Sequence, residues 1–416
     1  MTFTPQNMVF TYLKERMIHP LETFCLFVPM VSFFLPVDLF LIGLTSSTLL
    51  ILLNVGELKK IVFGHHNYLL YLFCFYMFVL ASVNRNVLGQ IASGLFFLVV
   101  VYVTYLRTKM TRELFEAMMV LCGIGSMFSL YYCTVDFYST STFLILDFFA
   151  KYIPIPYVYI TEIAKNLRST STFINSNFYG NISAVMSLIV VYFILQGIRQ
   201  RKTNPSLSWV KIQFYAVVLI VNLYGLSLTQ SRSSVLALLA GLAFLILTFD
   251  VRWFIALLIP SVLVIVFRFE PILSLLPRLD SLAGSASTRL EIYRIAMQEI
   301  RMNLFFGKGF YTFPMIYAKY TANYNLHAHN LVLEFMLSSG LVGTSLLVAR
   351  FVSLLNRPIK EWFVKEHEYM PLLLGIIALE IANGYTDVVL LLPQCFILFS
   401  LVLMCVEVDH EKNKKA

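Results

Sequence analysis

Charged side chains are scarce in this chain: Asp, Glu, Lys and Arg together make up 13% of its 416 residues. Hydrophobic residues make up 59%, and the mean hydropathy is +0.77. No soluble core of this size needs so much apolar sequence, so the composition implies an all-α polytopic membrane protein. Cysteine is sparse too. The six cysteines lie in or beside apolar runs, without the spacing of a disulfide framework or a zinc site. No Asp-x-Asp pair or carboxylate cluster suited to Mg²⁺ or Mn²⁺ stands between the apolar segments on the expected outer side. A phosphate-binding Gly-x-x-x-x-Gly-Lys-Ser/Thr loop is lacking as well, so ATP is not implied. Neither a metal nor a cofactor is therefore expected. Internal repeats and low-complexity tracts are missing. A cleavable signal peptide is not expected, because Met1 to His19 is polar and more apolar runs follow the first.

What is present is a series of apolar runs about 17–22 residues long, the length that crosses a bilayer. They fall near 20–37, 38–55, 67–84, 87–106, 115–135, 181–198, 212–229, 233–250, 253–268, 329–349, 370–386 and 388–407. The expectation is about twelve transmembrane helices in a single domain over 1–416, with both termini cytoplasmic. Most of the 31 Lys and Arg residues then fall in the inside segments, as the positive-inside rule requires. The formal charge of +8 reflects that topology rather than a nucleic-acid partner.

Two long segments are left outside: 136–180, and a larger loop at 268–328 between the ninth and tenth spans. Loops of that length in a compact protein usually carry function. Within the larger one, Ser287 to Met302 is predicted to be a helix stopping before Gly307. Leu290, Ile292, Tyr293, Ala296 and Ile300 form its apolar face, and Arg289, Glu291, Arg294, Glu299 and Arg301 look elsewhere.

Four outer segments could carry chemistry. Arg168-Ser-Thr-Ser-Thr-Phe-Ile-Asn-Ser-Asn-Phe-Tyr-Gly180 is a polar run entering a span, readable either as a helix cap or as a substrate contact. Thr229-Gln-Ser-Arg232-Ser-Ser is a donor-rich turn whose guanidinium suits a phosphate, or anchors at the headgroups. The helix around Arg289 runs on to Gly307-Lys-Gly309, a turn that can aim N–H groups at an anion or simply end the helix. The strongest is His327-Ala-His-Asn330 followed by Gly340-x-x-Gly343. Two imidazoles can exchange protons near neutral pH, and the glycines permit close helix packing behind them. Glu380 and Asp387 stand near the outer end of the eleventh span, where they can orient a histidine, partner an arginine, or form a plain ion pair.

On these residues the chain resembles the O-antigen ligase and polysaccharide polymerase superfamily, membrane glycosyltransferases of the GT-C type. The resemblance rests on Thr229-Gln-Ser-Arg232, the Arg289 helix running into Gly307-Lys-Gly309, and His329-Asn330 with nine residues between it and Gly340-Leu-Val-Gly-Thr344. Arg168 to Asn177 is similar to a stretch of the polymerase branch, with Ser176 where that pattern has proline. The resemblance implies a glycan donor on polyprenyl diphosphate and an acceptor that is a lipid-linked repeat unit or a lipid A–core. It implies reaction at the outer face of the bacterial cytoplasmic membrane, among membrane lipids, with a chain-length regulator as a further partner. His329 becomes the base on the acceptor hydroxyl, and Arg232 and Arg289 the ligands of the diphosphate. His327, Asn330, Arg168, Asn177 and Gln230 become substrate-positioning residues, and Glu380 and Asp387 supports.

Direct displacement with inversion is expected, because no carboxylate nucleophile is evident. Polymerase is the favoured reading and ligase the alternative. A lipid-linked glycan flippase is the alternative of another class. It should show paired halves or charges at the bilayer midplane, and neither is visible.

Overall fold

The computed structural model describes residues 20–64, 67–135, 168–173, 175–201, 205–259, 282–321, 325–362 and 368–415. Met1–His19, most of the expected 136–180 loop, the second half of the ninth span and the start of the 268–328 loop lie outside the described residues. The described chain contains no strand. Its helices are α1 (Pro20–Val31), α2 (Val37–Leu53), α3 (Val55–Phe63), α4 (Tyr68–Val83), α5 (Val87–Lys109), α6 (Arg112–Val135) and α7 (Ser176–Gln200). They continue as α8 (Pro205–Thr229), α9 (Arg232–Phe249), α10 (Leu282–Met302), α11 (Phe313–Tyr317), α12 (Leu331–Trp362), α13 (Met370–Gly384) and α14 (Pro393–Lys415).

Among the described residues six helices are long and apolar enough to cross a membrane: α5 to α9 and α12. A seventh counts if α2 and α3 form one broken span, and Pro20–Phe34, Tyr68–Val83, Met370–Gly384 and Pro393–Glu407 are shorter apolar helices. The chain is a polytopic helical membrane protein.

Two compact units are present, one from Met1–Leu50, Met110–Pro277 and Tyr369–Leu379, the other from Ile51–Lys109, Arg278–Glu368 and Glu380–Ala416. In the first, α7 is the central helix, with 78% of its apolar window buried by protein. Small residues make that possible. A Cβ on Gly180 would lie 2.8 Å from Ser234 Oγ, and one on Gly197 would lie 2.9 Å from Ile212 Cγ1.

The second unit is organised around α12, which packs on α4, α10, α11 and α14. Its α10 faces α11 and α12 with Ile292, Ile295, Ala296 and Ile300. Two expectations for this helix fail. Leu290 is 67% exposed, because it falls off the buried stripe that Ile292, Ile295 and Ile300 define. Glu299 is buried rather than turned away; it pairs with Lys308, and the Tyr320 hydroxyl donates to it at 2.8 Å. Burial alone would raise the Glu299 pKa, but the bonds from Lys308 and Tyr320 bring it below its usual value.

Helix α12 is broken at Gly340 (φ 59°, ψ −168°). The break opens the backbone to the 304–309 segment. Leu341 N–H donates to Leu304 O at 2.9 Å and Val342 N–H to Phe305 O at 3.0 Å. In return Gly309 N–H donates to Ser338 O at 2.8 Å and Lys308 N–H to Leu337 O at 3.0 Å. The N–H groups of Lys308 and Gly309 are thus committed to α12 and that of Gly307 to Asn303 O at 3.3 Å, and the anion-cradle reading of that turn falls. A Cβ at Gly340 would stand 2.5 Å from Phe305 O, at a positive φ that disfavours any side chain. Gly340→Ala is therefore expected to destabilise the protein by about 2 kcal/mol or more. A thermal midpoint in detergent equal to wild type would contradict this.

Candidate active site

The second unit brings His327, His329, Asn330, Arg289 and Asp387 into one cluster, although they come from three separated segments. Asp387, fully buried, lies just past the end of α13. Its Oδ1 stands 3.1 Å from His327 Nε2 and 3.9 Å from His329 Nδ1. The two imidazole rings are 4.3 Å apart. Nδ1 of His329 is buried without a hydrogen-bond partner, so Nε2 is the nitrogen left towards the open side. A carboxylate facing Nδ1 favours the tautomer with its proton there and its lone pair on Nε2. Such contacts are often long in a free enzyme and tighten when substrate binds.

Burial pushes the His329 pKa down to about 4, helped by the neighbouring His327 and by the Arg289 charge and opposed by Asp387. The imidazole is therefore neutral at neutral pH, the state a base requires. Arg289 is half-buried on α10, and among the described residues it makes no hydrogen bond or ion pair. It leaves a cation beside a neutral imidazole.

The loop that carries the histidines is held by residues the sequence reading passed over. His329 has φ 50°, a left-handed conformation that a residue with a Cβ adopts only when its surroundings impose it. The Tyr293 hydroxyl lies 3.0 Å from His329 O and 2.8 Å from Tyr385 O, donating to this carbonyl pair. Burial raises its pKa, so it stays a donor. Glu334, buried in the first turns of α12, accepts from Ala328 N–H at 2.8 Å and from the Ser338 hydroxyl at 3.2 Å.

Asn330, expected to position substrate, caps α12 instead. Its Oδ1 accepts from Leu333 N–H at 3.0 Å and its amide donates to Tyr385 O at 3.3 Å. A carboxylate in an apolar run is a signal in its own right, and Glu334 was legible on that ground. Glu334→Ala is expected to leave the buried Ala328 donor unmet, at about 1–3 kcal/mol. Glu334→Gln, which retains an acceptor, should be milder in both thermal midpoint and transfer rate; equal losses would argue against this positioning role. Glu380 is buried on α13.

The first unit brings together the other predicted residues. Arg168 Nε donates to Thr229 O at 2.9 Å, and its Nη2 donates to Asn177 Oδ1. The Ser231 hydroxyl donates to that same Oδ1 at 3.2 Å. Ser169, Ser171 and Thr172 are buried, and the Ser171 hydroxyl donates to Ser129 O at 2.6 Å. The Arg168 stretch is thus a built element that fixes the 229–231 turn, in which Gln230 takes φ 49°. Asn175 caps α7 by accepting from Asn177 N–H, so Ser176 is the first helical residue, where proline is equally at home. Arg232 is half-buried and opens α9 behind the Ser231 cap.

Residues 217–348 match the O-antigen ligase family. Over that segment, about a third of the chain, the protein is similar to O-antigen ligases. No curated protein matches it. The segment matched to the ligase family runs from α8 into α12. It takes in Arg232, Arg289, the two histidines and Gly340, and it leaves out Arg168 and Asp387.

The donor atoms of His327, His329 and Asp387 lie within 4.8 Å of one another, so this cluster is also close enough to hold a metal ion. Two imidazoles and one carboxylate suit zinc better than magnesium.

Proposed function

We propose that the protein transfers a glycan from polyprenyl diphosphate to a sugar hydroxyl at the outer face of the bacterial cytoplasmic membrane, as a polysaccharide polymerase. The supporting observation is the neutral His329 beside Arg289, which has no hydrogen bond or ion pair among the described residues, within a segment that matches the O-antigen ligase family. In the proposed step His329 Nε2 takes the proton of the acceptor hydroxyl. The freed oxygen attacks the anomeric carbon from the face opposite the diphosphate. The bond from that carbon to the diphosphate oxygen breaks, and configuration inverts. Arg289 stabilises the charge gathering on the leaving group, as fixed cations do without reorganising.

Arg232, at a helix N-terminus beside serine hydroxyls, has a setting that suits a phosphate. Arg168 and Asn177 then act by holding the turn that carries Gln230 and Arg232. About twelve spans, with both termini cytoplasmic, fit this placement.

The description of the matched family favours a second reading, a ligase that uses lipid A–core as acceptor. Purified protein supplied with a lipid-linked repeat unit should make a ladder of longer lipid-linked glycans. A product that forms only when lipid A–core is added would make it a ligase instead. No product with either acceptor would overturn glycosyl transfer.

The acid limb of the pH–rate profile should lie well below 6.5, the ordinary imidazole value, towards the depressed pKa of His329 at about 4. The sign is fixed by the neutral form being active: rate is lost only as pH falls through that depressed value. A limb near 6.5 in kcat/KM would contradict His329 as the base.

A further inference from the structure

At the far end of α12 from the histidines, the second unit buries a second polar cluster. Arg350, 4% exposed, donates from Nη2 to Asn67 Oδ1 at 2.8 Å. Arg107, in the last turn of α5, donates to the same oxygen at 3.4 Å and pairs with Glu407 of α14. Arg350 Nη1 reaches only the Ser353 hydroxyl at 3.3 Å, and its Nε is buried with no partner. The Arg350 guanidinium thus meets only neutral oxygens by hydrogen bond, with the Arg107 guanidinium drawn onto the same amide oxygen. Like charges drawn together out of water are unfavourable unless an anion completes the set.

These groups line a cleft open to one side, whose wall is apolar: Leu70, Val103, Leu347, Phe351, Phe396 and Phe399. A basic head beside an aliphatic and aromatic wall matches a phosphate bearing an acyl chain. Arg107 and Lys109 end α5, which the positive-inside rule puts on the cytoplasmic side.

We propose that this cleft binds an anionic phospholipid of the cytoplasmic leaflet, its phosphate on Arg350 and Arg107 and an acyl chain along the phenylalanine wall. The site takes no part in glycosyl transfer as proposed above, so either reading can fail alone.

The test is native mass spectrometry of the full chain in detergent, titrated with phosphatidylglycerol, phosphatidylcholine or inorganic phosphate. Phosphatidylglycerol should bind at several-fold higher occupancy than phosphatidylcholine. Arg350→Gln should reduce it to the phosphatidylcholine level. Glu407→Gln, which removes a carboxylate charge from the cleft, should raise it. Equal binding of the two lipids by wild type would overturn the proposal, even if Arg350→Gln fails to fold. So would displacement of phosphatidylglycerol by equimolar inorganic phosphate, which would mark a site for the free ion.

Discussion

Replacing His329 with asparagine is expected to slow glycan transfer by about 10²–10⁴-fold, the usual contribution of a positioned general base. Asparagine is the informative choice because the residue sits at φ 50°. Asparagine visits the left-handed region more readily than alanine, so the loop can keep its course. The loss should fall on kcat, with KM for the lipid-linked donor nearly unchanged, because the arginines remain in place. His327→Asn should cost less, since His327 touches Asp387 and the His329 ring rather than offering its own nitrogen to the open side. Wild-type kcat in a folded His329→Asn protein would remove the base from the mechanism.

Arg289→Ala is expected to lower kcat by about 10²–10³-fold, comparable to deleting one preorganised donor to a developing negative charge. Arg289 has no hydrogen bond or ion pair among the described residues, so the substitution removes a free cation rather than breaking the fold. Lysine should restore little, because a point charge does not reproduce the planar fork that grips two phosphate oxygens. A second readout separates this from a structural effect. Arg289 helps to hold the His329 pKa down, so its loss should move the acid limb of the rate profile to higher pH. Unchanged kcat together with an unmoved limb would contradict both roles.

The membrane character and the histidine pair were legible because each rests on local pattern: long apolar runs, and two imidazoles before a helix. Among the described residues, six of the expected spans coincide with helices long and apolar enough to cross a membrane. The supports of the site were less legible because they come from chain far away. Tyr293 looked like one more apolar position of α10, yet its hydroxyl reaches Tyr385, 92 residues on. Helical spacing says nothing of such a partner. Gly340 was read as a packing glycine, but it breaks α12 so that residues 304–309 can bond to the exposed backbone. Glu299 looked solvated because its partners, Lys308 and Tyr320, belong to the chain that folds back over α10. Gly307-Lys-Gly309 offered N–H groups in the sequence that the folded chain has already used.

The measurement that bears most directly on the mechanism is the anomeric configuration of the new linkage, made by purified protein in EDTA from a donor of known configuration. Inversion at an undiminished rate is expected if a neutral His329 activates the acceptor and arginine carries the leaving group. Retention would require a covalent or assisted intermediate that these residues do not supply. Loss of activity in EDTA, restored by zinc, would turn His327, His329 and Asp387 into metal ligands and contradict the base assignment.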